Sequence, residues 1–142
     1  MKKPLLVLSA ALILIFLPQR HSETAAQGGG LNQDEPRYDK KTVGTFAGVV
    51  QRVTAHNGRR GTPRTRATLR TKDGVIEVHM GPSAFLAEKS LVVIEGDNIE
   101  VVGSRVKDGN DELIIVRQVI KGKQKLVLRN EDGRPLWEDR HR

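Results

Sequence analysis

Cysteine is absent from this 142-residue chain. That absence excludes disulfides, a thiol nucleophile, thiolate metal ligands, a lipid-modified cysteine and covalent haem attachment together. Aromatic residues are nearly absent as well, with one tryptophan, one tyrosine and three phenylalanines. Proteins that hold single-stranded nucleic acid stack bases on aromatic rings, so the scarcity ranks nucleic acid low among partners. No glycine-rich phosphate loop runs into a helix; Gly28-Gly29-Gly30 lies in a polar linker. Ser83, Ser90 and Ser104 lack the strand–elbow–helix setting of a nucleophile. Five aspartates sit where turns need a backbone acceptor (Asp73, Asp97, Asp108, Asp111, Asp132). The chain is therefore expected to be no enzyme, with no catalytic residues and no cofactor.

A long hydrophobic run is missing too. Leu5 to Leu17 is apolar for thirteen residues, short of the ~20 that span a bilayer. Lys2-Lys3 precedes it, Pro18-Gln19-Arg20 ends it, and Thr24-Ala25-Ala26 supplies small residues for a peptidase. This is the layout of a secretory signal, with cleavage expected after Ala26. The expected location is periplasmic or secreted, with membrane contact only if the signal is retained as an anchor. Four segments follow: a signal over 1–26, a flexible linker over 27–41, a folded domain over 42–137 and a tail over 138–142. The whole chain carries a net charge of +7. Without residues 1–26 it keeps 21 basic and 16 acidic residues, or +5. About 100 ordered residues suffice to hold an exported domain together without disulfides.

What the domain does contain is strand pattern. Thr42 to Val53 reads as a long first strand whose apolar parity slips at Gly48, as at a bulge or sharp coil. Such a strand would serve both halves of a barrel. A loop, His56 to Pro63, leads into Arg64 to Lys72, where Thr65, Ala67, Leu69 and Thr71 alternate with basic residues. Asp73-Gly74 is expected to make a type I′ turn into Val75 to Met80. That turn would set Leu69 against Val78 and Ala67 against Met80 inside. Outside, it would set Arg70 against Glu77 and Thr68 against His79. Ser83 is expected to cap a short helix, Ala84 to Lys89. After the apolar Leu91 to Ile94, Gly96-Asp97 turns into a fourth strand, Ile99 to Val106, with a bend at Gly103. Asp108-Gly109-Asn110 turns into Leu113 to Ile120, the most apolar strand, and Lys125 to Arg129 offers a sixth. Trp137 is expected to pack on the body. Strands at this spacing predict an all-β fold, a small five- to six-stranded barrel with one short helix between strands 3 and 4.

That order resembles the OB-fold. The segments Val78 to Pro82, Gly96 to Ser104 and Leu128 to Trp137 look like those of small exported bacterial OB-fold proteins. These include the bacterial periplasmic OB-fold (BOF) family and the domain shared by the magnetosome proteins MamS and MamX. The resemblance covers about residues 42–137. MamX-type chains carry Cys-x-x-Cys-His haem motifs, so without cysteine no haem role carries over, and the group lends no catalytic residues.

The candidate ligand-binding residues are Arg59, Arg60, Arg64, Arg66, Arg70 and His79. From Asn57 to Lys72 there are six basic residues and no acidic one. In OB-folds, strands 2 and 3 with the loop before them form the usual ligand face, and a cationic stripe there suits a polyanion. The same stripe also reads as a solvated face with an Arg70–Glu77 cross-strand pair contributing under ~1 kcal/mol. A metal site would draw on His56, His79, His141 and carboxylates. Met80 should be core, and His79 with Glu77 supplies only two donors, so no metal site is expected. The function expected is a non-catalytic binding module for an anionic macromolecule or protein partner in the envelope. An accessory role in metal handling or biomineral formation, and an envelope structural or stress protein without a single ligand, are the alternatives.

Overall fold

The computed structural model describes residues 36–138. The expected signal, the expected linker as far as residue 35 and the tail from residue 139 lie outside the described residues. Six strands follow in order: β1 (Val43–Asn57), β2 (Pro63–Thr71), β3 (Gly74–Pro82), β4 (Asn98–Asp108), β5 (Asp111–Lys121) and β6 (Gln124–Val127). One six-residue helix, α1 (Ser83–Glu88), lies between β3 and β4. The sheet runs β3-β2-β1-β4-β5-β6. It closes because β3 also pairs in parallel with β5, at Glu77↔Leu113, Val78↔Ile114 and His79↔Ile115. Five strands thus make a closed barrel and β6 is added to its side, which is the architecture the strand spacing predicts.

β1 does serve both halves. It pairs with β4 through Val43–Val49 and with β2 through Gly48–Asn57. At Gly48 the strands meet so closely that a Cβ would lie 2.2 Å from the Arg70 carbonyl oxygen. The bulge falls a little further on, at Gln51 between Val50 and Arg52. Glycine provides the close approach and the extra residue provides the bend, a division of labour that parity alone does not separate. β1 also continues to Asn57, so His56 is a strand residue.

The hairpin register differs from the expected one by two residues. Leu69 faces Ile76, Ala67 faces Val78, Thr68 faces Glu77 and Arg70 faces Val75. The turn is Lys72-Asp73, closed by the Thr71↔Gly74 pair. Neither Lys72 nor Asp73 has a positive φ, whereas Gly74 does, at +125°. A type I′ turn needs positive φ at both central residues, which a lysine resists. Thr71 steadies the alternative: its hydroxyl donates to the Gly74 carbonyl (2.9 Å) and accepts from the Asp73 amide (3.2 Å). A two-residue shift preserves facing, because side chains alternate with period two. Ala67, Leu69, Val78 and Met80 are therefore all buried as the pattern requires.

Ser83 does not cap α1. It is the first helical residue, and its hydroxyl pairs instead with Thr65 Oγ1 on β2 at 2.8 Å. The tertiary partner outcompetes the helix amides. α1 drops Phe85 and Leu86 into the core, which Val50, Leu69, Val78, Met80, Ile114, Val116, Val119 and Leu128 complete. The bend at Gly103 coincides with a register shift against β5, where a Cβ would meet the Ile115 carbonyl oxygen at 2.4 Å. Trp137 packs back on the barrel. Its ring meets Phe85 edge-on with centroids 5.7 Å apart and covers Gly81, where a Cβ would come within 2.8 Å.

Two substitutions test this construction. Gly48→Ala should cost ~1–3 kcal/mol through overpacking, and Leu69→Ala about 2–5 kcal/mol through the cavity it leaves. Urea unfolding of each variant measures both. A Gly48→Ala variant as stable as the parent would mean that the strands do not cross as tightly as described.

Candidate functional site

The six candidate residues do not form one continuous stripe. Arg70 lies at the hairpin end of β2, exposed, opposite Val49 and Val75. Its expected partner, Glu77, is taken by Arg66 instead, as the two-residue shift of register dictates. Arg59 and Arg60 form a short 3-10 turn in the loop between β1 and β2, with Arg60 at φ +60°. Among the candidates whose side chains are described, Arg64, Arg66 and His79 are the three that meet. They line a cleft of about 370 Å³ between the open ends of β1–β3 and the segments that precede β1 and follow β6.

Pairing places these three side chains. Arg66 stands opposite Thr54 on β1 and His79 on β3, and Arg64 stands opposite His56. A bulge between Thr65 and Arg66 leaves Met80 as the extra residue of β3. A polar chain then crosses three strands. Arg66 Nη2 donates to His56 Nε2 at 2.8 Å, and Arg66 Nη1 reaches Glu77 Oε1 at 3.4 Å. His79 Nε2 bonds the same Glu77 oxygen. Because a guanidinium only donates, His56 accepts at Nε2 and is the neutral Nδ1–H tautomer. Because an ionised carboxylate only accepts, His79 carries its proton on Nε2.

Burial, the largest influence, holds His79 below its ordinary pKa of 6.5, and the nearby Arg66 guanidinium pushes the same way. The bond to Glu77 opposes them without prevailing. His79 is thus neutral at pH 7.

Sequence reading missed the other side of the cleft. Arg37 and Tyr38 come from the segment before β1, and Arg129 and Gly133 from the stretch after β6. Asp39 anchors the first of these segments, its amide donating to the buried Ser104 hydroxyl at 2.9 Å. In the second, the Arg129 guanidinium lies 4.8 Å from the Trp137 ring centroid and donates to the Gly133 carbonyl at 3.3 Å. Among the described residues, Asp108 is the one carboxylate on the wall, beside Arg37, Arg64, Arg66 and Arg129. The one available signal for this side was Arg129 beside the Asn130–Gly133 turn. His56 was weighed only as a metal ligand. A neighbouring groove, lined by Arg66, Arg105, Glu77, Asp108, Asp111 and Glu112, is of mixed charge, and Arg105 Nε donates to Glu112 there at 2.9 Å.

Among the described residues, no three His, Asp or Glu side chains gather as a metal-ligand set. Met80 is fully buried in the core, and His141 lies outside the described residues.

The comparison with known proteins matches residues 42–126, more than half the chain, to a family described as the MamS/MamX magnetosome protein family. That span begins just before β1 and ends within β6. No curated protein matches the chain.

The histidine makes a pH prediction. A depressed native pKa means that the unfolded chain binds the proton more readily. The stability His79 contributes is therefore whole above about pH 6.5 and drains as pH falls through the native value. Urea unfolding should give a lower free energy at pH 5 than at pH 7.5, with a smaller difference in His79→Gln. An identical difference in that variant would assign the acid sensitivity to other groups.

Proposed function

The chain belongs to the MamS/MamX magnetosome protein family, and from that premise we propose a magnetosome-type accessory protein that acts by binding and not by catalysis. Its barrel docks an anionic group of an envelope partner in the cleft that Arg64, Arg66 and His79 share with Arg37 and Arg129. One observation carries this reading: among the described residues, four arginines from distant parts of the chain line a single cleft with one carboxylate. In a cleft with low-dielectric walls, convergent charge of one sign focuses the field and draws the opposite charge. The export signal read over residues 1–26 fits a partner in the envelope. Arg70 contributes long-range attraction from outside the cleft.

Metal handling or mineral growth is the second reading, favoured by the family alone. A thermal-shift series separates the two. Heparin, single-stranded DNA and a panel of divalent metals are each added at low and at physiological salt. Docking of an anion predicts stabilisation by heparin, with apparent affinity falling roughly tenfold or more between 50 and 200 mM salt and lost in Arg64→Glu. Stabilisation by stoichiometric metal alone, abolished in His79→Ala, would overturn this reading in favour of the second.

A further inference from the structure

Two hydrogen-bond donors in the cleft are left idle by the folded chain. The Tyr38 hydroxyl and Arg66 Nε are both buried, and among the described residues neither has a hydrogen-bond partner. The other two nitrogens of Arg66 are engaged, by Glu77 and His56. A buried donor without an acceptor carries a desolvation cost that folding does not recover. Such atoms are rare in native proteins and call for an explanation in function. Both lie in residues that line the same cleft.

The surroundings specify the acceptor. Among the described residues, Arg37, Arg64 and Arg129 line the same cleft with Asp108 as the one carboxylate, so an anion is the acceptor that suits it. The volume of about 370 Å³ suits one compact group, at the small end of ligand sites, and not a polymer laid along the sheet. Tyr38 supplies the means of entry. Its ring stands directly on Gly133, where a Cβ would come within 2.3 Å of the ring. The ring is attached to an irregular stretch ahead of β1 and not to a strand, so it can swing aside without breaking a sheet ladder. The wall formed by Arg64 and Arg66 lies within the family match, whereas Tyr38 and Gly133 lie on either side of it.

We propose that the cleft seats a single oxyanion of the partner, a carboxylate or a phosphate, which accepts hydrogen bonds from the Tyr38 hydroxyl and Arg66 Nε. This rests on the anion-docking reading above and narrows it from a charged surface to a defined subsite.

Calorimetric titration of the protein with inorganic phosphate, and separately with acetate, tests the subsite against Tyr38→Phe and Arg66→Lys. Phenylalanine keeps the ring on Gly133 and removes only the idle hydroxyl. The melting temperature of Tyr38→Phe should therefore hold or rise while oxyanion affinity drops about tenfold. A residue with a merely structural role would not produce that combination. Arg66→Lys keeps the charge, loses Nε and should weaken binding to a similar extent. Whichever ion binds more tightly identifies the source group. Unchanged affinity in Tyr38→Phe overturns the proposal. Lack of saturable binding by either ion overturns it as well. If heparin still stabilises the protein in that case, the broader docking reading survives alone; if heparin also fails, both fall.

Discussion

The structure depends on one short seam. Only three residue pairs, Glu77↔Leu113, Val78↔Ile114 and His79↔Ile115, join β3 to β5 and turn a curled sheet into a barrel. Closure removes the exposed edge that β3 would otherwise present and seals Val78 and Ile114 inside with no accessible surface. It also decides where the polar residues of β3 end up. Glu77 and His79 flank Val78 on the opposite face, so the strand that closes the core with one side chain offers His79 to the cleft and Glu77 to the neighbouring groove. Core and candidate site are built on the same three residues.

The curvature needed to reach that seam comes from glycine and from bulges. Gly48 and Gly103 sit where a neighbouring carbonyl oxygen would stand 2.2 Å and 2.4 Å from a Cβ. Extra residues at Gln51, Met80 and Arg117 bend the strands beside them. Bulges raise local twist and re-aim side chains. The one in β3 lies immediately after His79, which helps to turn Arg66 and His79 toward each other.

The positive charge of the cleft is answered only in part by the chain itself. Glu77 answers part of the charge on Arg66, and the Trp137 face and a carbonyl answer part of that on Arg129. His79 stays neutral because burial outweighs its carboxylate partner. The basic run from Arg64 to Lys72 is thus divided by the fold: Arg66 is drawn into a network, Arg70 is left in solvent, and only part of the run reaches the cleft. A linear count of charges cannot make that distinction, since it depends on which carboxylate each guanidinium meets across the sheet.

The alternation in Arg64 to Met80, the apolar run at Leu113 to Ile120 and the turn residues between them determined by themselves the strand order, the single helix and the inner faces. These are local properties, because period-two patterning and turn chemistry act over a few residues. Register escaped because Asp73-Gly74 and Lys72-Asp73 both satisfy that patterning, and the choice rests on φ at Gly74 and on the Thr71 hydroxyl. The cap at Ser83 escaped because Thr65, eighteen residues away, competes for its hydroxyl. The cleft escaped almost entirely. Tyr38 and Arg129 are 28 and 63 residues from Arg66 in the chain, and only closure of the barrel brings them to one wall. Local chemistry wrote the strands; long-range packing alone decided which charges would share a space.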